Sequence, residues 1–213
     1  MLYLNVPYKE KEEAKKLGAL WNPEKKKWFV QNRCDYSKFN KWIVGDLDYV
    51  HVLFGLYYLV VGKRKCYKCK KNTTVISFAV EKFGTYINKK YVNEEIYSYF
   101  GDNSIHFINS FSPLEKKMEK FLLETYNYHL SYSKTMETTY LANNCQNCDS
   151  LQGDYFLYNE PDSPFFLNSI QKIKDLTFYK IILENDMIVE GEIDCSSYDD
   201  IIKKTATIKN LTI

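Results

Sequence analysis

Apolar and polar residues alternate over Leu2-Tyr3-Leu4-Asn5-Val6, a short strand pattern closed by Pro7. Residues 8–17 switch to a helical period, with Ala14 and Leu17 turned inward beside Val6. Glu12 and Lys16 make a favourable i,i+4 pair, and Gly18 supplies the stop. After the turn Trp21-Asn22-Pro23-Glu24, residues 25–30 alternate again with Trp28 and Val30 on one face. Residues 36–43 put Phe39 and Trp42 on the inner side of a second short helix. The pattern predicts a β-α-β-α unit over residues 1–45, followed by a linker at 46–50.

Residues 52–61 are almost continuously apolar and predict one buried strand, and residues 73–80 predict another. Residues 82–93 read as a loop or hairpin, 94–100 as a short helix stopped by Gly101, and 104–108 as a strand. Ser112-Pro113-Leu114-Glu115 has the form of a capping box, with Leu114, Met118, Phe121 and Leu122 following at helical spacing. This predicts a long central helix to about residue 130. Further on, the pattern predicts a strand at 134–142 and a helix at 163–174. Strands at 176–183 and 187–193 are expected to turn at Glu184-Asn185-Asp186. A helix at 197–203 and a strand at 206–213 complete the chain.

Two cysteine hooks punctuate this second part: Cys66-Tyr67-Lys68-Cys69 and Cys145-Gln146-Asn147-Cys148. Each C-x-x-C lets two thiolates grip one ion above a tight turn, and two hooks complete a tetrahedral four-sulfur site. A redox C-x-x-C would open a helix after a strand. Here the first hook runs through Lys70, Lys71 and Asn72 into the β-branched Thr73-Thr74-Val75-Ile76. The expectation is one structural Zn2+ on Cys66, Cys69, Cys145 and Cys148. Two disulfides, free thiols or a catalytic metal are the alternatives. The fold class expected is α+β: a small β-α-β-α N-terminal unit over 1–45, then a zinc-ribbon-containing α/β unit with a long central helix over 51–213.

Composition narrows the classes. Forty-five per cent of the 213 residues are apolar, with 19 Tyr and 13 Phe, which suits a packed core rather than a disordered chain. No basic, apolar leader opens the sequence and no apolar run approaches a membrane span, so a reducing cytoplasmic setting is expected, with Cys34 and Cys195 as ordinary thiols and no membrane partner. The net charge of +2 hides a polarity: residues 1–90 hold 19 basic and 8 acidic side chains, and residues 91–213 hold 10 and 19. A basic half invites a polyanion, although the two halves can also offset each other.

Within residues 1–45, Trp21, Trp28 and Trp42 stand among Lys25, Lys26, Lys27 and Arg33, the mixture a phosphate-tracking, base-stacking surface uses. Tryptophans in so small a unit also serve as its core. Trp28 and Trp42 are expected inside, and Trp21, beside the turn, is the one most open to solvent. Lys63, Arg64, Lys65 and Lys68 surround the first hook. They suit a nucleic-acid contact, or equally an offset to the charge of a four-thiolate site.

The run Tyr3-Leu4-Asn5-Val6-Pro7-Tyr8, with Lys11, Ala14-Lys15, Leu17-Gly18-Ala19, Trp21-Asn22-Pro23 and Lys27-Trp28-Phe29, resembles domain-of-unknown-function family 5710 over about residues 1–44. The resemblance implies company with primase-like and other DNA-processing modules of bacteria and mobile elements, and carries no catalytic residues over. Residues 140–148 with 151–156, together with the first hook, resemble an uncharacterised class of bacterial zinc-knuckle proteins. Those proteins usually have Gly after the last Cys of each hook, where this chain has Lys70 and Asp149.

No phosphate-binding glycine loop, G-x-S-x-G, H-E-x-x-H or deaminase signature is present. Three histidines, His51, His106 and His129, are scattered singly, and His129 is expected at the surface. The reading favoured is a non-enzymatic zinc-containing nucleic-acid-binding protein, with Trp21, Lys25–Lys27, Lys63–Lys65 and Lys68 as contacts. A protein-interaction scaffold of a mobile-element or defence system is the second class. A metal-dependent nuclease using Asp154 with Glu160 and Asp162 is the third.

Overall fold

The computed structural model describes residues 1–88, 90, 99–100 and 104–212. The fold is mixed α+β, mostly sheet with few and short helices. It divides into two compact units, each discontinuous in sequence: Met1–Leu56, Glu81–Asn103 and Ile182–Gly191 form the first, and Tyr57–Val80, Ser104–Ile181 and Glu192–Ile213 the second. No helix among the described residues is long and apolar enough to cross a membrane.

The first unit opens with an antiparallel three-stranded sheet. Lys27–Val30 lies between Leu2–Leu4 and Leu20–Asn22. The middle strand expected from residue 25 is therefore one arm of a hairpin, and the unit reads β-α-β-β-α rather than β-α-β-α. The cause is local: Asn22 Oδ1 accepts the backbone N–H groups of Glu24 and Lys25 at 3.0 and 2.9 Å. This side-chain turn reverses the chain and sets Trp21 opposite Trp28. The first helix is Lys11–Lys16, preceded by a 3-10 turn at Tyr8–Glu10, and the second is Asn40–Val44. Leu2, Leu4, Ala14, Val30, Phe39 and Trp42 pack into one core with Val50, Val52 and Tyr86. Residues 46–50 are not all linker, because Tyr49 and Val50 begin the strand Tyr49–Leu53. That strand pairs antiparallel with Phe83–Ile87 and with Met187–Val189.

The apolar run 52–61 is two strands. Gly55, at φ +79°, breaks it after Leu53, and the second strand is Leu56–Lys65. Of the helix expected over 94–100, residues 94–98 lie outside the described residues, and Tyr99–Phe100 is a strand.

In the second unit Leu56–Lys65, Asn72–Val80 and His106–Ser112 form consecutive neighbours, with Thr177–Ile182 and Thr207–Asn210 beyond Leu56–Lys65. Tyr57, Tyr58, Leu59 and Val60 are all buried, so both faces of this strand are covered. Tyr57, Phe78 and Phe111 cluster on one face, the last two stacked at 4.6 Å. Tyr58, Phe107, Phe165 and Phe178 cluster on the other. Continuous apolar sequence is what such a two-sided strand requires.

The long central helix is not formed. Ser112 ends the strand His106–Ser112 instead of capping a helix, and the helix Lys116–Tyr126 starts after Glu115 with about three turns. Met118 and Leu122 are its buried residues. Asn127 stops it in the left-handed region at φ +55°, donating its N–H to the Leu123 carbonyl at 3.2 Å. Residues 128–130, expected helical, instead begin a β-hairpin of Tyr128–Ser133 with Thr138–Asn143. The helix expected over 163–174 contracts to Ile170–Lys174, capped by the Ser169 side chain, with a separate turn of helix at Tyr155–Tyr158. Thr177–Ile182 and Met187–Asp194 are not hairpin mates: the first pairs parallel with Thr207–Asn210, and the second pairs with Tyr49–Leu53.

Candidate functional site

The two cysteine hooks are built alike. The first is the loop of the hairpin Leu56–Lys65/Asn72–Val80, closed by the pair Lys65↔Asn72. The second follows Thr138–Asn143 and is closed by a bridge between Asn144 and Leu151. In each, the first cysteine donates its N–H to the residue five on, Lys71 at 2.9 Å and Ser150 at 2.9 Å. Its carbonyl accepts the N–H four on, from Lys70 at 3.0 Å and Asp149 at 2.8 Å. The residue after the second cysteine is left-handed in both, with Lys70 at φ +63° and Asp149 at φ +56°.

Glycine adopts this conformation most easily, and the strain of a β-carbon there costs about 1 kcal/mol. Asp149 offsets part of it by accepting from Asn127 Nδ2 at 2.9 Å. Lys70 contributes only a bond from its ammonium to the Tyr67 carbonyl at the exposed surface. Lys70→Gly is therefore expected to stabilise by roughly 0.5–1 kcal/mol, and Asp149→Gly to be near neutral. Urea melts of the two variants check the order.

Contacts between the hooks fix their approach. Asn143, buried, uses its side-chain amide on both backbone groups of Ile76, accepting at 2.7 Å and donating at 2.9 Å. Gln146 donates its N–H to Thr73 Oγ1 at 3.0 Å, and Asn147 Nδ2 donates to the Asn72 carbonyl at 3.0 Å. The result brings Cys66, Cys69, Cys145 and Cys148 together with all four Sγ atoms within 4.8 Å of one another. Two of the gaps, Cys66–Cys148 and Cys69–Cys145, are 3.8 and 3.7 Å. A disulfide would need about 2.05 Å. A sulfur tetrahedron with metal–sulfur bonds of about 2.3 Å has edges of about 3.8 Å. The four cysteines can hold one metal ion.

The thiols are prepared for a cation. Burial pushes the Cys66 thiol up, but the Ser150 hydroxyl at 3.3 Å and backbone N–H groups outweigh it and bring it to about 5. Ser150, at 3.1 Å from Cys148 Sγ, also lowers that thiol. Cys69 is drawn down by the Lys71 backbone but pushed, on balance, up to about 11 by burial and its sulfur neighbours. Four sulfurs at this spacing cannot all ionise without a positive ion among them. Gln152, also buried, donates to Ser150 O at 2.8 Å and reaches Cys66 Sγ at 3.5 Å. Ser150 and Gln152 thus form the polar shell of the sulfurs. They follow the second hook by two and four residues, and no spacing rule in the sequence singles them out.

The basic residues fall into two sets, one in each unit. Lys63 and Lys65 are exposed and alternate with Arg64, whose guanidinium donates to the Phe156 carbonyl at 2.9 Å. Lys68 is exposed within the hook. In the first unit Lys25 and Lys26 occupy the hairpin turn and Lys27 begins the following strand, all exposed. Trp21 on the same hairpin is 49% exposed, while Trp28 is half-buried and Trp42 is core. Tyr8, Trp21 and Trp28 line a groove of about 670 Å³, with Lys11, Lys26 and Lys27 also among its lining residues.

Arg33, grouped with the surface cations by sequence, is otherwise engaged. It donates Nε and Nη2 to the two carboxylate oxygens of Asp186, both at 2.7 Å, and Tyr36 Oη donates to the same carboxylate at 2.8 Å. His129 is partly exposed, its Nε2 3.5 Å from Asp149.

Asp154, Glu160 and Asp162 are not gathered: among the described residues, the cysteines form the only cluster of three or more potential metal ligands. Burial alone pushes the Asp154 carboxyl up from 3.8 to about 6. The unfolded chain gives up this proton above about pH 4 and the folded chain only near pH 6. Stability therefore falls across that interval, by at most about 3 kcal/mol, and the penalty persists at pH 7. Asp154→Asn is expected to raise the melting temperature at pH 7 and leave it unchanged near pH 4, read by thermal melts at the two pH values.

Comparison with known proteins adds one segment. Residues 1–43 match the family described as Domain of unknown function (DUF5710). Two proteins of Escherichia coli, each described as DNA primase TraC, are similar over the same segment. One is 51% identical over 43 residues, 20% of this chain, and the other 50% identical over 40 residues, 19% of this chain. The matches span about 3% and 4% of the relatives' own length. No solved structure matches the chain. The family match ends at residue 43 and does not extend to the cysteine hooks.

Proposed function

We propose that this protein binds nucleic acid without catalysing a reaction on it, and that its second unit is held by one structural Zn2+. The observation that carries the binding reading is the Leu20–Val30 hairpin. Trp21 stands half in solvent beside Lys25, Lys26 and Lys27, within the segment similar to a DNA primase. Ammonium groups there would neutralise phosphates and release counterions, and the indole would offer a stacking face. Lys63, Lys65 and Lys68 would supply a second phosphate-binding patch.

The metal reading rests on donor chemistry. Four thiolate donors with tetrahedral edges, tightened by Ser150 and Gln152, suit Zn2+ best among common divalent ions. Four protein ligands leave no position for a substrate, so the ion supplies folding energy and no Lewis acidity. Cytoplasm, where thiols stay reduced, fits this ligand set.

The test is fluorescence anisotropy of labelled single- and double-stranded DNA and RNA with the full chain. Binding to at least one of them is expected, weakened at least tenfold in the Lys25→Glu/Lys26→Glu/Lys27→Glu variant. Absence of binding to all of them would overturn the reading and favour a protein partner.

A further inference from the structure

The groove in the first unit has a chemistry that selects between kinds of nucleic acid. Two exposed rings are among its lining residues: Tyr8, 82% exposed, and Trp21, 49% exposed. Trp21 packs against Trp28, which also lines the groove, with ring centroids 5.5 Å apart and tilted by 60°. Tyr8 is held by Lys11, whose ammonium lies 4.0 Å from the ring centroid and 2.9 Å from the hydroxyl oxygen. Two exposed rings lining one apolar cleft leave a large apolar surface open to water, which a flat apolar partner would cover. Among the described residues, Lys11, Lys26 and Lys27 are the charged groups lining the cleft, and no carboxylate lines it. The partner is therefore flat, apolar on its faces and negatively charged along its edge. The groove, about 670 Å³, is within the range of sites that enclose a small molecule.

We propose that this groove receives an unstacked base of a single-stranded nucleic acid, stacked on Trp21 and Tyr8, with the flanking phosphates on Lys11, Lys26 and Lys27. A duplex cannot make the contact, because its base faces are stacked on one another. The proposal rests on the nucleic-acid reading above and narrows it to single strands and to one subsite. Its ring contacts are sequence-tolerant, since every base has a π-face.

An abasic strand separates the two levels, because it keeps the phosphates and lacks the faces. The metal-loaded full chain is titrated with a labelled oligothymidylate of about twelve nucleotides, with an abasic strand of equal length and with a blunt-ended two-strand duplex, following anisotropy and tryptophan fluorescence. The oligothymidylate is expected to bind at least tenfold more tightly than the other two and to quench the fluorescence. Trp21→Ala and Tyr8→Ala, both at exposed positions, are expected to reduce its affinity to the abasic level while leaving abasic binding unchanged. Circular dichroism of the variants confirms the fold. Equal affinity for the oligothymidylate and the abasic strand would overturn the base subsite and leave a phosphate-binding face. Absence of binding to all three would overturn the subsite and the nucleic-acid reading together.

Discussion

Cys145→Ser is expected to release the metal and lower the melting temperature of the second unit by more than about 10 °C. Cys145 is fully buried and its sulfur is one corner of the cluster. A serine hydroxyl stays protonated at neutral pH and is a poor zinc ligand, so the ion loses a charged donor and the closed coordination shell. What an ion on the four cysteines would join is distant in sequence: the hairpin carrying Cys66 and Cys69, and the turn after Thr138–Asn143 carrying Cys145 and Cys148. Without it, Asn143, Gln146 and Asn147 hold the two by hydrogen bonds worth about 1 kcal/mol each. Structural zinc sites contribute on the order of 10 kcal/mol in small domains, which sets the scale of the loss. Metal content by elemental analysis and thermal melts read the outcome, with Cys34→Ser, outside the cluster, expected to match the parent. A Cys145→Ser protein that melts like the parent, with and without chelator, would contradict a structural metal.

Arg33→Met is expected to destabilise the first unit by about 3–5 kcal/mol, more than Asp186→Asn, at about 1–2 kcal/mol. The asymmetry follows from burial. The Asp186 side chain is 2% exposed and the Arg33 side chain 52%. Removing the guanidinium strands a buried carboxylate with the Tyr36 hydroxyl alone, whereas removing the carboxylate charge leaves an arginine that can turn to water. Asp186 also ties down the start of the chain, donating its N–H to the Met1 carbonyl at 2.9 Å beside a bridge to Leu2. Burial and the hydrogen bond to Asp186 raise the Tyr36 phenol well above the usual tyrosine range, so it stays a donor at every pH of use. Denaturant melts of the two variants rank the costs. Equal losses would contradict the account of a buried charge held by a half-exposed partner.

What the sequence discloses depends on the range of the interaction. The four-cysteine cluster is legible because the spacing within each hook is a local property and four thiols suffice for one shell. The left-handed positions after the hooks are legible for the same reason, and Lys70 and Asp149 occupy them without glycine. The short helices around Ala14 and Trp42 follow from apolar periodicity. Ser112 shows the opposite case. Its capping pattern is strong locally, but pairing into the strand His106–Ser112 claims it. Asn127 ends the next helix by adopting a left-handed conformation that its sequence permits without demanding. Arg33 reads as one more surface cation because its partner is 153 residues away. Ser150 and Gln152 reveal their role only when the hooks meet. The basic residues mislead in one respect: alternation along Leu56–Lys65 turns Arg64 away from Lys63 and Lys65, toward the Phe156 carbonyl.

Binding of nucleic-acid phosphates by the basic residues is checked by the affinity of the full, metal-loaded chain for a single-stranded oligonucleotide across a series of salt concentrations. A linear fall of log K with log salt is expected. Each phosphate contact contributes about −0.7 to the slope on a single strand, so the slope should flatten by roughly 2 in the Lys25→Glu/Lys26→Glu/Lys27→Glu variant. A salt-independent affinity, or a slope the three substitutions leave unchanged, would contradict it.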